Sequence, residues 1–120
     1  MTEIRWADRP ADHDYPAAES YLSLIFCKPK VTGIVDCLHS APMTTFKAKD
    51  IFRASGLSLL GISNSHVNEN IKKIRKGRPL SPILLVRDEK NGRVIVADGY
   101  HRLCAVYTFD EDIEIPCKIV

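Results

Sequence analysis

Long apolar runs are missing from this chain. The longest, such as Leu24–Cys27 and Ile83–Val86, fall far short of the roughly 20 residues that a membrane-spanning helix needs. A membrane partner is therefore not expected. The opening Met-Thr-Glu-Ile-Arg-Trp-Ala-Asp lacks the apolar stretch of a signal peptide, so the expected compartment is the cytoplasm. Cysteine is sparse. The four present, Cys27, Cys37, Cys104 and Cys117, form no Cys-x-x-Cys pair, which removes the close-spaced ligands of a zinc site and predicts reduced, mostly buried thiols. Internal repeats and low-complexity tracts are also absent. What remains is 120 residues, 45% hydrophobic, 27% charged and 8% aromatic, the composition of one globular domain. About two thirds of the unfolded surface leaves water on folding at this size, so the core needs no disulfide or metal staple.

The net charge of +2 conceals a segregation. Residues 1–26 carry −3, residues 27–107 carry +8 and residues 108–120 carry −3. A basic middle suits a phosphate-bearing partner and equally a solvated basic helix face.

Residues 1–15 read as an irregular arm, in which His13 between Asp12 and Asp14 is solvated and Trp6 anchors the arm or meets a partner. Pro16 suits the first turn of a helix. Ala18, Tyr21, Leu22 and Ile25 then recur at helical spacing. A second helix runs from about Val31, with Ile34, Val35 and Leu38 on one face, and closes before Pro42. Residues 16–41 thus form a helical hairpin expected to cap a sheet. Thr44–Ile51 fits neither a clean helix nor a clean strand, Arg53-Ala-Ser-Gly56 reads as a turn, and Leu57–Leu60 is an apolar connector.

Asn64 or Ser65 caps a helix carrying Val67, Ile71 and Ile74 on one face, with Gly77 as its stop. Its polar side holds Lys72, Lys73, Arg75 and Lys76, with Arg78 just beyond. That density exceeds what a helix C-terminus gains from cations, and these five are the candidate nucleic-acid residues. Ile83–Val86 reads as a buried strand, Asp88–Gly92 as a hairpin turn and Val94–Ala97 as the returning strand. A helix through Leu103, Val106 and Tyr107 follows, and Ile113–Val120 closes the sheet as an edge strand or one beginning at Pro116.

The chemistry concentrates at Asp98-Gly99-Tyr100-His101-Arg102. A strand ends, a glycine permits close backbone approach, and a helix opens with free N–H groups and its positive dipole end. Arg102 offers a fork for phosphate or carboxylate, Asp98 a magnesium ligand or a cap, and His101 a proton carrier near neutral pH. A first-turn arginine opposes the helix dipole, which argues for an anionic ligand nearby.

A strand, an Asn-Gly hairpin, a second strand, Asp98-Gly-x-His-Arg102 and an amphipathic helix together resemble the ParB/sulfiredoxin superfamily, which includes the ParB-like nuclease domains. Leu80-Ser-Pro82-Ile-Leu-Leu-Val86 after Gly77, and Ile115-Pro116-Cys117, resemble the family's other strands. The likeness covers residues 44–120 and makes Lys47–Ile51 the first strand. Sulfiredoxins carry a cysteine where this chain has Tyr100, which speaks against sulfinic acid repair. ParB proteins use a Glu-Arg-Arg form and add a helix-turn-helix domain. The form here is closer to the Asp-Gly-His-His-Arg of free serine kinases and ParB-like nucleases, with Tyr100 in place of the first histidine.

The resemblance implies an α+β fold: a small mixed sheet with packed helices plus the N-terminal hairpin, all in one domain. It implies a nucleotide-phosphate site at Gly99, Tyr100, His101 and Arg102, with ATP or CTP and Mg2+ as cofactors. Asp98 and His101 are then the catalytic candidates and Asp98 the metal ligand, for magnesium-dependent phosphotransfer or for hydrolysis by a nucleotidase or nuclease. The alternative is a non-catalytic nucleotide- or nucleic-acid-binding module, or a protein-interaction partner such as one member of a toxin–antitoxin pair.

Overall fold

The computed structural model describes residues 3–120. Asp14 in the first turn favours the dipole of helix α1 (Asp14–Leu22), which turns Tyr15, Ala18 and Leu22 inward. It ends earlier than the apolar spacing predicts, leaving Ile25 beyond its end and exposed, and Tyr21 lies on its outer side. Helix α2 (Lys28–Ser40) begins with Pro29 in its first turn and buries Val31, Val35 and Leu38. Cys27, the residue just before it, and Cys37 on its outer side are exposed. All four cysteines are free thiols, but only Cys104 and Cys117 are buried.

The ambiguous segment resolves into two elements. Strand β1 (Thr44–Lys47) gives way at once to helix α3 (Ala48–Ser55), so residues 48–51 are helical rather than the first strand, and Arg53–Ser55 are its last turn. The reason is tertiary: Ala48 and Ile51 lie one helical turn apart and both reach the core. Helix α4 (Ser65–Arg75) is capped by the Asn64 side chain, which accepts hydrogen bonds from the N–H groups of His66 and Val67. Strand β2 (Ile83–Asp88), strand β3 (Arg93–Asp98), helix α5 (Tyr100–Phe109) and strand β4 (Glu114–Ile119) complete the chain.

The sheet is mixed, in the order β1-β4-β2-β3. β4 runs antiparallel to β1 and parallel to β2, and β2–β3 is the hairpin. β4 is therefore internal, not an edge. Pro116 is tolerated there because of where its missing donor would point. The Ala48 N–H donates to the Ile113 carbonyl, and alternation along an antiparallel pair makes Thr45–Pro116 a non-hydrogen-bonded pair. The Pro116 nitrogen thus faces the β2 side, where pairing starts only at Cys117.

Alternate residues of β2 and β3 feed two cores. Ile83, Leu85, Val94 and Val96 pack with α3, α4 and α5. Leu84, Val86, Ile95 and Ala97 pack under the α1–α2 hairpin. Helices thus cover both faces, and the hairpin caps the sheet as expected. Lys118, nearly buried, donates to the His39 carbonyl (2.8 Å) at the C-terminal end of α2, where a cation is favoured. The arm is tied down by backbone bonds between Leu80 and both Arg5 and Ala7 (2.8 and 2.9 Å). Among the described residues no helix is long and apolar enough to cross a membrane.

β3 passes into α5 through Gly99, at φ +111°. A Cβ there would stand 2.8 Å from Ile83 Cγ1 and 3.1 Å from Arg102 Nη2, whereas Gly92 in the hairpin (φ +64°) meets open space. Gly99→Ala adds a core clash to left-handed strain and is expected to cost about 2–5 kcal/mol. Gly92→Ala pays only the strain, about 1–2 kcal/mol. Urea unfolding of the two variants checks this; equal losses would show that the close approach at Gly99 is not tight.

Candidate functional site

The Asp98–Arg102 segment stands at a strand-to-helix junction, as the sequence predicts. Gly99 is the N-cap residue, and no side chain caps α5. The first N–H groups of the helix therefore point outward with the positive end of the dipole. Tyr100 turns away, its hydroxyl donating to the Ser58 carbonyl and pinning the Leu57–Leu60 connector.

Arg102 does something the sequence did not reveal. Its Nη2 donates to Asp98 Oδ2 (2.8 Å) and to the Pro82 carbonyl (3.3 Å), and lies 3.8 Å from Asp14 Oδ2. Asp14 is 2% exposed. It also accepts from the Ala11 N–H (3.1 Å) and the Ser81 hydroxyl. The residue assigned to a solvated arm is thus a buried partner of the motif, reached across 88 positions of sequence. Two carboxylates balance the first-turn arginine, so its unfavourable place on the dipole needs no external anion. Burial pushes the Asp98 carboxyl above its usual range; Arg102 pulls it down by charge and hydrogen bond, and Asp14 pushes it up again.

Outside this cluster the surface opens into two polar cavities of about 250 and 300 Å³, which share Asn70, Lys73 and Arg102. The first is walled by the α5 N-terminus and by His66, Glu69 and Lys73 of α4. The rings of His66 and His101 lie 4.9 Å apart there. Burial first, then the neighbouring His66 and Arg102, hold His101 below the ordinary imidazole range. His66 was not a sequence candidate. The available signal was its spacing: His66, Asn70 and Lys73 stand at i, i+4 and i+7, one helix face.

Lys73 thereby separates from the basic stripe and faces the cavity. Lys72, Arg75, Lys76 and Arg78 are exposed, and none of the five makes an ion pair among the described residues. Glu69 shares the cavity with Asp98, while Asp50 lies elsewhere. Asp50 borders a cavity of about 520 Å³, an apolar trough at the hairpin end of the sheet lined by Phe46, Ile51, Leu85 and Val94. That trough holds no histidine or cysteine, so the acid–base groups cluster at the α5 end instead.

As a magnesium ligand Asp98 fits poorly, because its carboxylate is engaged by Arg102. Among the described residues no three His, Cys, Asp or Glu side chains converge to hold a metal ion. The phosphate part of a nucleotide fits better: uncapped N–H groups and an unpaired lysine face one polar cavity. No protein-family model matches the chain, and neither a curated protein nor a solved structure matches it.

Removing one member of a buried ion cluster leaves uncompensated charge. Arg102→Ala is expected to lower stability by about 3–5 kcal/mol in urea unfolding, with part recovered when Asp98→Asn is added. A loss no larger than that of exposed Arg53→Ala would show that the cluster does not hold the fold.

The His101 imidazole is expected to titrate below 6.5 by NMR. Replacing His66 with Asn removes the neighbouring ring that lowers it and moves the midpoint upward; an unchanged midpoint would rule out coupling between the rings.

Proposed function

We propose that the chain binds the phosphates of a nucleotide at the β3–α5 junction. The observation that carries this reading is the uncapped first turn of α5 opening onto a polar cavity, with Lys73 unpaired on the opposite wall. Backbone N–H groups at a helix start and a lysine across from them are the donors that phosphate recognition uses. The resemblance of Asp98-Gly99-Tyr100-His101-Arg102 to the ParB/sulfiredoxin superfamily supports the same place and ligand. In this reading Gly99 lets the backbone approach the phosphates, and the N–H groups of Tyr100, His101 and Arg102 bind them. Arg102 contributes mainly by holding the turn in shape through Asp98 and Asp14. Magnesium, where present, arrives on the nucleotide's own phosphates, since metal ions of this kind are held largely by substrate oxygens and water.

A second reading, contact with a nucleic-acid backbone, is favoured by the exposed and unpaired Lys72 and Arg75 on the helix that also supplies Lys73, with Lys76 and Arg78 at its exit. Such contact is non-specific and weakens steeply with salt.

Calorimetry with ATP, ADP and CTP, in magnesium, tests the first reading. Binding of at least one is expected, weakened about tenfold or more by Lys73→Ala, since a hydrogen bond to a charged group is worth about 1.5–3 kcal/mol. Lys73 is the residue to change because Arg102→Ala also removes a structural cluster. No binding of any of the three, or an affinity indifferent to Lys73, overturns the reading.

A further inference from the structure

Two imidazoles facing one polar cavity beside an unpaired lysine are more than phosphate recognition requires. We propose that His66 and His101 form an acid–base pair that cleaves single-stranded RNA by attack of its own 2′-hydroxyl, with Lys73 holding the phosphate. This rests on the phosphate reading above and assigns it a substrate class.

The geometry sets the roles. The ring centroids lie 4.9 Å apart with the planes tilted by 44°, and both residues line the same cavity, the shared placement that an acid and a base acting on one phosphoryl group need. His101 is partly buried on the first turn of α5, while His66 is exposed on the first turn of α4. Lys73, two turns along α4 from His66, makes no ion pair among the described residues and borders the same cavity. Asp98 is not available as the base because Arg102 holds it (2.8 Å). Glu69 is the remaining carboxylate on the cavity wall.

In the reaction the 2′-oxygen attacks the adjacent phosphorus and gives its proton to neutral His101. The bond from phosphorus to the 5′-oxygen breaks, and that oxygen takes a proton from protonated His66. The products are a 2′,3′-cyclic phosphate and a 5′-hydroxyl end. Exchange of protons with solvent resets both rings, and no oxidant, reductant or activated water is required. Burial first, then the neighbouring His66 and Arg102, shift His101 toward the neutral form that accepts a proton. Charge building on the non-bridging oxygens meets Lys73 and the N–H groups of α5. RNA is the substrate class because it carries the nucleophile, and the exposed Lys72, Arg75, Lys76 and Arg78 supply backbone attraction along the same helix and its exit.

The test is a fluorescent, mixed-sequence single-stranded RNA incubated with the full chain in EDTA, beside its 2′-O-methyl and DNA counterparts. Cleavage of the RNA alone is expected, with 2′,3′-cyclic phosphate ends by mass spectrometry. His66→Asn and His101→Asn should each reduce the rate by about 100-fold or more, the usual contribution of a positioned acid or base. Lys90→Ala, in the distant hairpin, should not change it. Intact RNA, equal cleavage of the 2′-O-methyl strand, or cleavage that survives loss of either histidine overturns the proposal. The 2′-O-methyl comparison needs no variant, so it holds even where a histidine substitution disturbs folding. Nucleotide calorimetry on the same protein in magnesium separates the two ideas. Nucleotide binding without RNA cleavage overturns the ribonuclease assignment alone, and absence of both overturns the phosphate site with it.

Discussion

The arrangement hinges on one buried guanidinium. Arg102 leaves α5 in its first turn and ends between Asp98 of β3, Asp14 of α1 and the Pro82 carbonyl just before β2. Its side chain is only 17% exposed, and its Nε has no partner, so the energy of the site lies in the Nη2 contacts. Charges taken out of water are costly unless they are paired. Here the pairing draws on both helical layers and the sheet between them. The hairpin cannot slide on the sheet without exposing Asp14, and the β3–α5 turn cannot open without separating Asp98 from Arg102.

That constraint also shapes the surface outside it. With Arg102 drawn inward and Gly99 admitting close contact with Ile83, the first turn of α5 is held against the sheet while its N–H groups remain uncapped. α4 packs beside α5 through Val67, Ile71 and Ile74. Its polar side therefore falls across from that turn, and His66, Glu69 and Lys73 become the opposite wall. The proposed phosphate and acid–base site is a consequence of one helix packing beside another whose N-terminus is fixed by an ion cluster.

Much of the architecture was legible along the chain. Asn64 as a cap, Gly92 in the hairpin, the buried runs of β2 and β3, and the Asp98–Arg102 junction all rest on local chemistry that short spacings reveal. Thr44–Ser55 was not legible. Four residues of strand followed directly by a helix give neither period room to establish itself, and burial of Ala48 and Ile51 decides the outcome. The internal place of β4 was hidden for a similar reason: Pro116 is unfavourable in a central strand unless its nitrogen happens to face a position where the neighbouring strand has not begun. The exposed Cys27 and Cys37 show that a residue type's burial preference does not say which side of a helix meets the core.

The sequence by itself determined the order of the main helices and strands, the two-sided apolar pattern of the hairpin strands, and the glycine turn from which the candidate site is built. Each follows from periodicity or from backbone conformations that few residues adopt. Only the tertiary structure decided that Asp14 balances Arg102, that His66 faces His101, and that Lys73 leaves the basic stripe for the cavity. These pairings join residues 88, 35 and about 30 positions apart. They depend on how α1, α4 and α5 cross the sheet, and side-chain identities along the chain do not encode which polar groups a packed helix brings face to face.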